Sequence, residues 1–206
     1  MTITEDAALQ DFIKEQLAKG YIMKSKSPYA SPFFFIKKKD GKLHPVQDYQ
    51  RVNEYTIKNE YPLPLIPDLI AGLKDTWIFT KFDIWWGYNN VQIKEGDQHK
   101  AASKTKYGLF ELNVMYFRLT NSPATFQAMM DHLFQPVHDE FSIDGMDVLK
   151  YMDDLLIATS STREHHEKVV HKVLDILEAN HLFVCPEKCT WESPTVNDLG
   201  LILEKG

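Results

Sequence analysis

Two adjacent carboxylates interrupt an apolar stretch of the chain. Asp153 and Asp154 lie between strand-like runs at 148–151 and 155–158, which predicts that residues 152–154 form a tight turn between two strands. Side chains alternate along a strand, so at least one of these acids should project from the sheet at the tip of the hairpin. Ionised carboxylates among apolar residues are costly unless they are paired, hydrogen-bonded or bound to metal.

A third acid, Asp83, also lies in a strand-like run, between Phe82 and Ile84. Carboxylates that converge repel one another by several kcal/mol per pair at about 4 Å in a medium of moderate dielectric. A hard divalent cation removes that repulsion, and Mg²⁺ typically binds a few carboxylates together with substrate phosphates. The spacing leaves two interpretations open: a metal site, or turn and edge acids in water.

Length and composition limit the classes of protein to which the chain can belong. Its 206 residues suffice for one core or two small lobes, and no apolar run approaches the roughly 20 residues that span a bilayer. The acidic first ten residues lack the layout of a signal peptide, and two cysteines do not indicate a secreted disulfide scaffold. We therefore expect an intracellular protein without a membrane partner.

The charge distribution is uneven along the chain. The net charge is −6, yet residues 19–51 carry eight basic side chains against two acidic ones. Residues 131–206 carry fifteen acidic side chains against six basic ones. Two interpretations remain: one end binds a polyanion and the other binds cations, or the two ends are simply solvated differently.

The elements that must position these acids follow an α+β pattern. Thr2 and Glu5 form a capping box that begins a first helix, and Asp40-Gly41 predicts the turn of a hairpin. Helices alternate with strands and hairpins along the rest of the chain, which favours helices packed on one face of an antiparallel sheet. The other predicted elements are a short helix near 67–73, a strand at 77–84, a helix at 124–134 and a helix after a capping box at 161–164, whose polar face carries His165, His166 and His171.

The segment YMDD at 151–154 resembles the YxDD box of reverse transcriptases. Further blocks occur in the order found in polymerases of Gypsy-type LTR retrotransposons, most similar to the fungal branch, and together they cover about residues 20–203. These blocks are SPYASPFFFIKKKDGKL, QDYQRVNEYTIKNEYPLPLI, FDIWWGYNNVQIKEGD, LTNSPATFQAMMDHLF and LEANHLFVCPEKCTW. The resemblance implies a right-hand polymerase fold without a thumb, with fingers at about 1–58 and 91–120 and a palm at about 59–90 and 121–206.

The resemblance also implies an activity: RNA-directed DNA polymerase, adding deoxynucleotides to a primer 3′ end. The implied partners are an RNA or DNA template with its primer and deoxynucleoside triphosphates, and the implied cofactor is a pair of Mg²⁺ ions, with Mn²⁺ as a substitute. Because such polymerases are cut from polyproteins, we expect the thumb, RNase H and integrase in the rest of a longer chain. The expected location is a cytoplasmic retroelement particle with access to the nucleus.

Catalytic roles follow for the three acids. The resemblance implies that Asp83, Asp153 and Asp154 are the catalytic and metal-binding acids, with the main-chain carbonyl of Ile84 as a further ligand. Asp83 and Asp153 would hold two metal ions, and Asp154 would lie nearer the primer end. One ion would lower the pKa of the primer 3′-hydroxyl, and the other would bind the triphosphate and stabilise the leaving pyrophosphate.

Nucleotide-binding roles follow for other positions. Tyr88, which follows Gly87, matches the aromatic steric gate that rejects a ribose 2′-hydroxyl, and Lys38 matches the lysine that reaches the triphosphate. The remaining residues implied to bind the nucleotide are His44, Phe117 and Gln127, and those implied to support the site are Tyr151, Met152 and Pro123.

Three departures from the family pattern bear on activity. His44 stands where the family has arginine, Arg118 where it has glycine, and Lys150 where it has an apolar strand residue. They leave open an active reverse transcriptase, in which Arg118 binds the phosphate that an arginine at position 44 would bind, and a catalytically impaired nucleic-acid-binding remnant. A third hypothesis, an RNA-copying polymerase of the same palm class, is disfavoured by Tyr88.

Overall fold

The described chain forms two compact units. The computed structural model describes residues 2–37, 41–71, 73, 76–141 and 146–204. The first unit comprises residues 1–58 and 88–122, and the second comprises 59–87 and 123–206. Within the described residues, no helix is both long enough and apolar enough to cross a membrane.

The helices are α1 (Ile3–Ala18), α2 (Gln50–Tyr55), α3 (Ile66–Ala71), α4 (Ser122–Phe141) and α5 (Arg163–Ala179). The strands are β1 (Ile22–Lys24), β2 (Ser31–Lys37), β3 (Leu43–Gln47), β4 (Ile78–Asp83), β5 (Ser103–Thr105), β6 (Gly108–Leu112), β7 (Met146–Tyr151), β8 (Asp154–Thr159), β9 (Thr190–Ser193), β10 (Thr195–Asp198) and β11 (Leu201–Glu204). Short 3-10 helices lie at Gly87–Asn90, Gln98–Ala101 and Pro186–Lys188.

A five-stranded sheet organises the first unit. Its strand order is β1-β6-β5-β2-β3, and all pairs are antiparallel except β2 with β5. The predicted capping box is confirmed, because the Glu5 N–H donates to the Thr2 hydroxyl while the Thr2 N–H donates to the Glu5 carboxylate. Leu9 and Ile13 of α1 are buried in a core with Tyr49 and residues of the sheet.

A four-stranded antiparallel sheet organises the second unit, which confirms the predicted sheet backed by helices. Its order is β7-β8-β4-β9, and α5 packs against β8 and β4. Residues 155–159 of β8 are all buried, because this strand lies between β7 and β4 and under a helix. The strand is therefore apolar almost throughout, and only its first residue, Asp154, carries a charge.

Helix α4 is longer than its sequence predicts. The expected end was residue 134, shortly before Pro136, since proline usually stops a helix. The structure continues the helix through Pro136 to Phe141. Phe134 and Val137 on either side are fully buried, so their packing outweighs the hydrogen bond that Pro136 cannot make. The start of α5 also differs by one residue: Thr162, not Ser161, caps it by accepting from the His165 N–H.

The prediction that His166 lies on a polar helix face is wrong. Its side chain is fully buried, and its ring nitrogens lie 2.8 Å from the Thr80 hydroxyl and 3.0 Å from the Thr159 hydroxyl. These contacts connect α5 with β4 and β8. Burial disfavours the imidazolium and lowers the pKa of His166 from its ordinary 6.5 to about 4.

The buried imidazole predicts a pH-dependent stability. Between pH 6.5 and about 4 the unfolded chain binds a proton at this histidine and the folded chain does not, so the free energy of unfolding falls as the pH is lowered through this window. The loss from this group is at most about 3 kcal/mol. Urea denaturation at pH 7 and pH 4.5 measures it, with His166→Gln compared with His171→Gln, a change at an exposed position of the same helix.

We expect His166→Gln to be less stable at pH 7 but to lose less stability on acidification than the His171→Gln control. Equal acid sensitivity of the two variants would show that the buried imidazole is not the group responsible.

Candidate catalytic site

Strand pairing brings two of the three acids face to face. Asp83 is the last residue of β4 and Asp154 the first of β8, and the antiparallel register pairs them directly. Side chains of directly opposed residues lie about 5 Å apart at Cβ, and like charges in such a pair are destabilising. This end of the sheet therefore requires positive charge.

Asp153 occupies the turn beside them. Tyr151 pairs with Asp154, so the β7–β8 turn contains only Met152 and Asp153, and Asp154 belongs to the strand and not to the predicted turn. Met152 has a φ of 56°, the left-handed conformation that the first residue of such tight hairpins adopts. Two-residue hairpins with this geometry match the twist of their strands. The strained backbone at Met152 is therefore part of a turn that holds Asp153 in a fixed position.

The loop after β4 lies against this turn. The Ile84 N–H donates to the Asp153 carbonyl at 3.0 Å. A Cβ on Gly87 would lie 3.5 Å from the Cβ of Asp153 and only 3.0 Å from the buried ring of Phe126, so a larger residue here would require that ring to shift by a few tenths of an ångström. Asp83, Asp153 and Asp154 thus lie at one end of the second unit's sheet, as the sequence predicts.

A lysine ammonium neutralises Asp83. Lys188, in the 3-10 helix before β9, places Nζ 3.0 Å from each carboxylate oxygen of Asp83. This hydrogen bond raises the pKa of Lys188. The Lys188 side chain is 63% exposed, so the ion pair is of the kind that contributes less than about 1 kcal/mol to stability.

A second lysine, Lys81, forms an ion pair with Asp154. Lys81 Nζ lies 3.1 Å from Asp154 Oδ1 and 2.7 Å from Asp198 Oδ1, and its side chain is only 14% exposed. Burial raises the pKa of Asp154, and the hydrogen bond from Lys81 opposes that shift. Burial by itself lowers the pKa of Lys81, but its ion pairs with Asp198 and Asp154 outweigh this effect and the net shift is upward.

The donor chemistry at this end of the sheet suits a hard divalent cation. Carboxylate and carbonyl oxygens are the ligands that Mg²⁺ prefers. Asp83 already accepts a cationic group on both oxygens, since the Lys188 ammonium stands there. Among the residues that the structure describes, no three His, Cys, Asp or Glu side chains are gathered closely enough to form a metal-ligand set.

The side chain of Gln127, on α4, hydrogen-bonds to the backbone at the β7–β8 turn. Its Oε1 accepts from the Met152 N–H at 3.0 Å, and its Nε2 donates to the Lys150 carbonyl at 3.1 Å. The buried amide thus bonds the backbone on both sides of Tyr151. Its predicted contact with a nucleotide stays a prediction, while its contact with the turn that carries Asp153 is a role that the sequence did not reveal.

Lys150 is accommodated by a partner on α4. Its Nζ lies 3.3 Å from Asp131 Oδ1, and Asp131 also accepts hydrogen bonds from the Gln127 amide and the Tyr61 hydroxyl. Sequence reasoning treated Lys150 as a charge in an apolar strand. No local pattern in the sequence signals this pair, because Lys150 lies on β7 and Asp131 on α4.

The predicted nucleotide-binding residues are divided between the two units. Tyr88 and Phe117 lie in the first unit, where the buried Tyr88 ring meets the exposed Phe117 ring edge-on with centroids 5.1 Å apart. His44 is exposed on β3 opposite Ile36. Pro123 lies in the first turn of α4, as predicted from its position. Lys38 falls outside the described residues.

Arg118 occupies a backbone conformation that favours glycine. Its φ is 75°, and its carbonyl accepts from the Asn53 amide at 2.7 Å. A non-glycine residue in this region is strained because Cβ approaches the carbonyl oxygen. The glycine expected from the family pattern at this position therefore has a conformational reason, and the arginine side chain is exposed.

The fold and the carboxylate hairpin define a class of protein. Residues 36–203 match the family described as "Reverse transcriptase (RNA-dependent DNA polymerase)", and the chain belongs to that family. This confirms the resemblance read from the YMDD and associated blocks.

Relatives in sequence come from a fungus. The chain is 36% identical over 200 residues to the Transposon Tf2-3 polyprotein and the Transposon Tf2-7 polyprotein of Schizosaccharomyces pombe. Each alignment covers 97% of this chain and 14% of the relative. The chain therefore spans a small part of the curated relatives that it matches.

Solved structures confirm the fold. The foamy viral protease-reverse transcriptase in complex with an RNA/DNA hybrid superposes with a TM-score of 0.87 at 22% identity, over 100% of this chain and 26% of that chain. The dRH form of that protein in complex with double-stranded DNA gives 0.85 at 23% identity, over 99% and 34%. At these identities the likeness shows the α+β polymerase fold of fingers and palm.

The bonds of Gln127 predict a stability effect specific to this position. Gln127→Leu leaves the Met152 N–H and the Lys150 carbonyl without their buried partner and should cost about 2 to 4 kcal/mol in the free energy of unfolding. Gln135→Leu on the same helix removes an amide that bonds the exposed Asp139 and should change it by less than about 0.5 kcal/mol. Chemical denaturation compares the two, and equal losses would show that the turn does not depend on Gln127.

The conformation of Arg118 predicts a stabilising substitution. Arg118→Gly should raise the free energy of unfolding by roughly 1 kcal/mol, because relief of left-handed strain exceeds the added freedom of glycine in the unfolded chain. Lys14→Gly, at an exposed interior position of α1, is the control and should lower it by about 1 kcal/mol, since glycine weakens a helix interior. A loss of stability in Arg118→Gly would show that the arginine side chain makes contacts worth more than the strain.

Proposed function

We propose that the chain is the fingers and palm of an RNA-directed DNA polymerase, adding deoxynucleotides to the 3′ end of a primer. The observation that carries this proposal is that the family match spans Asp83, Asp153 and Asp154, which strand pairing and the adjoining turn bring to one end of a single sheet. Solved relatives of the same fold hold an RNA/DNA hybrid or double-stranded DNA, which supports a primed template as the partner.

Asp83 and Asp153, with the main-chain carbonyl of Ile84, would hold two divalent cations, Mg²⁺ or Mn²⁺. When bound, such cations lower the pKa of the attacking hydroxyl and stabilise charge on the leaving pyrophosphate. Lys188 has to release Asp83 for a cation to bind there. Because the lysine is largely exposed, it exchanges the carboxylate for water at a cost of less than about 1 kcal/mol.

The chain's other residues bind and orient the reactants. The Gln127 amide fixes the turn that carries Asp153, so this carboxylate keeps its position when the substrate binds. Tyr88 is the proposed steric gate against a 2′-hydroxyl, and the edge-on contact with Phe117 supports its ring. Lys38 and His44 are proposed to reach the triphosphate from the β2–β3 hairpin.

The rest of the protein is also a matter of proposal. Because the chain matches a small part of long polyproteins, we propose that a thumb, RNase H and integrase accompany it in one precursor. Such a protein would act in a cytoplasmic retroelement particle with access to the nucleus.

A second candidate is a remnant that binds nucleic acid without polymerising. The observation that favours it is that lysines hold two of the three acids, Lys188 on Asp83 and Lys81 on Asp154. Arg118 in a strained conformation and His44 in place of arginine point the same way. Both candidates keep the same fold and differ in whether the carboxylates support chemistry.

Primer extension on an RNA template separates these candidates. The assay supplies deoxynucleotides or ribonucleotides with Mg²⁺ or Mn²⁺, and measures extended primer and duplex binding in parallel. We expect extension with deoxynucleotides, and a loss of at least about a hundredfold in Asp153→Asn, since the variant lacks a metal-binding charge. Asp175→Asn, at an exposed position of α5, is the control and should extend like the unmodified chain.

Retained duplex binding without extension under either cation would establish the remnant. Extension with ribonucleotides alone would assign the chain to the RNA-synthesising polymerases of the same palm class and remove the proposed role of Tyr88.

A further inference from the structure

Lys81 is a buried cation shared by two carboxylates. It lies on β4 two residues before Asp83, so both side chains leave the same face of the strand. Its Nζ lies 2.7 Å from Asp198 and 3.1 Å from Asp154. Asp198 is 5% exposed and ends β10, a strand outside the four-stranded sheet. Asp198 has no role in the function proposed above, and Lys81 enters there only as the counter-ion of Asp154.

The two acids that face each other across β4 and β8 have different counter-ions. Asp83 is paired with Lys188, which is exposed and replaceable. Asp154 is paired with Lys81, whose side chain is largely buried and is held by a second acid. Breaking a buried pair leaves an uncompensated charge in a poorly solvated place, whereas an exposed pair dissociates into water. Asp83 is therefore open to exchange of its cation, and Asp154 is not.

Asp198 accounts for the position of the lysine. A buried ammonium with one partner could turn toward any acid at this end of the sheet, including Asp83. The shorter contact with Asp198 holds Nζ on the side of β10, and the Lys81–Asp154 contact then fixes the direction of the Asp154 carboxylate. Lys81, Asp154 and Asp198 together carry two negative charges and one positive charge, so Asp154 keeps a permanent counter-ion.

We propose that Lys81 withholds the Asp154 carboxylate from divalent cations and that Asp198 anchors the lysine. Lys81 occupies the Asp154 carboxylate, so divalent-cation binding depends on Asp83 and Asp153, while Asp154 fixes the hairpin against β4. The inference rests on the proposed function to the extent that a divalent cation binds at this end of the sheet. A merely structural ion cluster would affect stability and leave cation affinity unchanged.

The test is a titration of the chain with Mn²⁺, followed by electron paramagnetic resonance, without nucleic acid or nucleotide. Asp83→Asn and Asp153→Asn should each weaken Mn²⁺ binding at least about tenfold, because each removes a ligand charge. Asp154→Asn should stay within about threefold of the unmodified chain, because its carboxylate is already occupied by Lys81.

Variants that free Asp154 from Lys81 should bind Mn²⁺ more tightly. Lys81→Met frees the carboxylate and should tighten Mn²⁺ binding about tenfold. The double variant Lys81→Met with Asp198→Leu removes the lysine and its anchor together, which avoids an orphaned buried acid and keeps the test valid if the single variant does not fold. It should show the same gain. Lys172→Met, which removes a surface lysine paired with Glu140, is the matched control and should bind Mn²⁺ like the unmodified chain.

Three results would overturn the inference: loss of Mn²⁺ binding in Asp154→Asn equal to that in Asp83→Asn, unchanged affinity in the double variant, or no Mn²⁺ binding by the unmodified chain. The primer-extension assay is read separately. Extension without the expected Mn²⁺ pattern would refute the role of Lys81 alone, and the expected pattern without extension would refute the polymerase proposal alone.

Discussion

The pairing of β4 with β8 is the constraint on which the second unit depends. Its register runs from Ile78 opposite Thr159 to Asp83 opposite Asp154, so the buried strands end in two carboxylates side by side. Several other features of the unit compensate for this arrangement. Lysines come from β4 and from the 3-10 helix before β9. Glycine at position 87 lets the following loop approach the turn.

The two lysines solve the same electrostatic problem in different ways. An exposed ammonium lowers the cost of adjacent acids while leaving the carboxylate accessible, and a buried one makes the compensation permanent. Desolvation strengthens the buried contact and raises the penalty for losing it. An end of a sheet with both kinds of pair can therefore stay folded without a bound cation and still offer one carboxylate to it.

Features encoded locally in the sequence were predictable, and contacts between distant residues were not. The capping box at Thr2 and the strands around the turn follow from spacing within a few residues, whereas the grouping of Asp83 with Asp153 and Asp154 came only from the family resemblance. The pairing of Lys81 with Asp198 joins residues more than a hundred positions apart, and no local pattern signals it. His166 is a different case, because a local pattern does signal its burial: it precedes Val169 and Val170 by three and four residues and so belongs to the buried stripe of α5. What the sequence does not show is that hydroxyls from β4 and β8 satisfy the buried imidazole.

In the two-residue turn between β7 and β8, the number of residues is more tightly constrained than their types. One inserted residue would lengthen this turn, shift Asp153 relative to Asp83 and Asp154, and misalign the carbonyl and N–H that Gln127 bonds. The residue at position 152 can vary among those that tolerate a left-handed backbone. Relatives of this chain should therefore differ in the residue types of the YMDD segment at 151–154 and almost never in its number of residues.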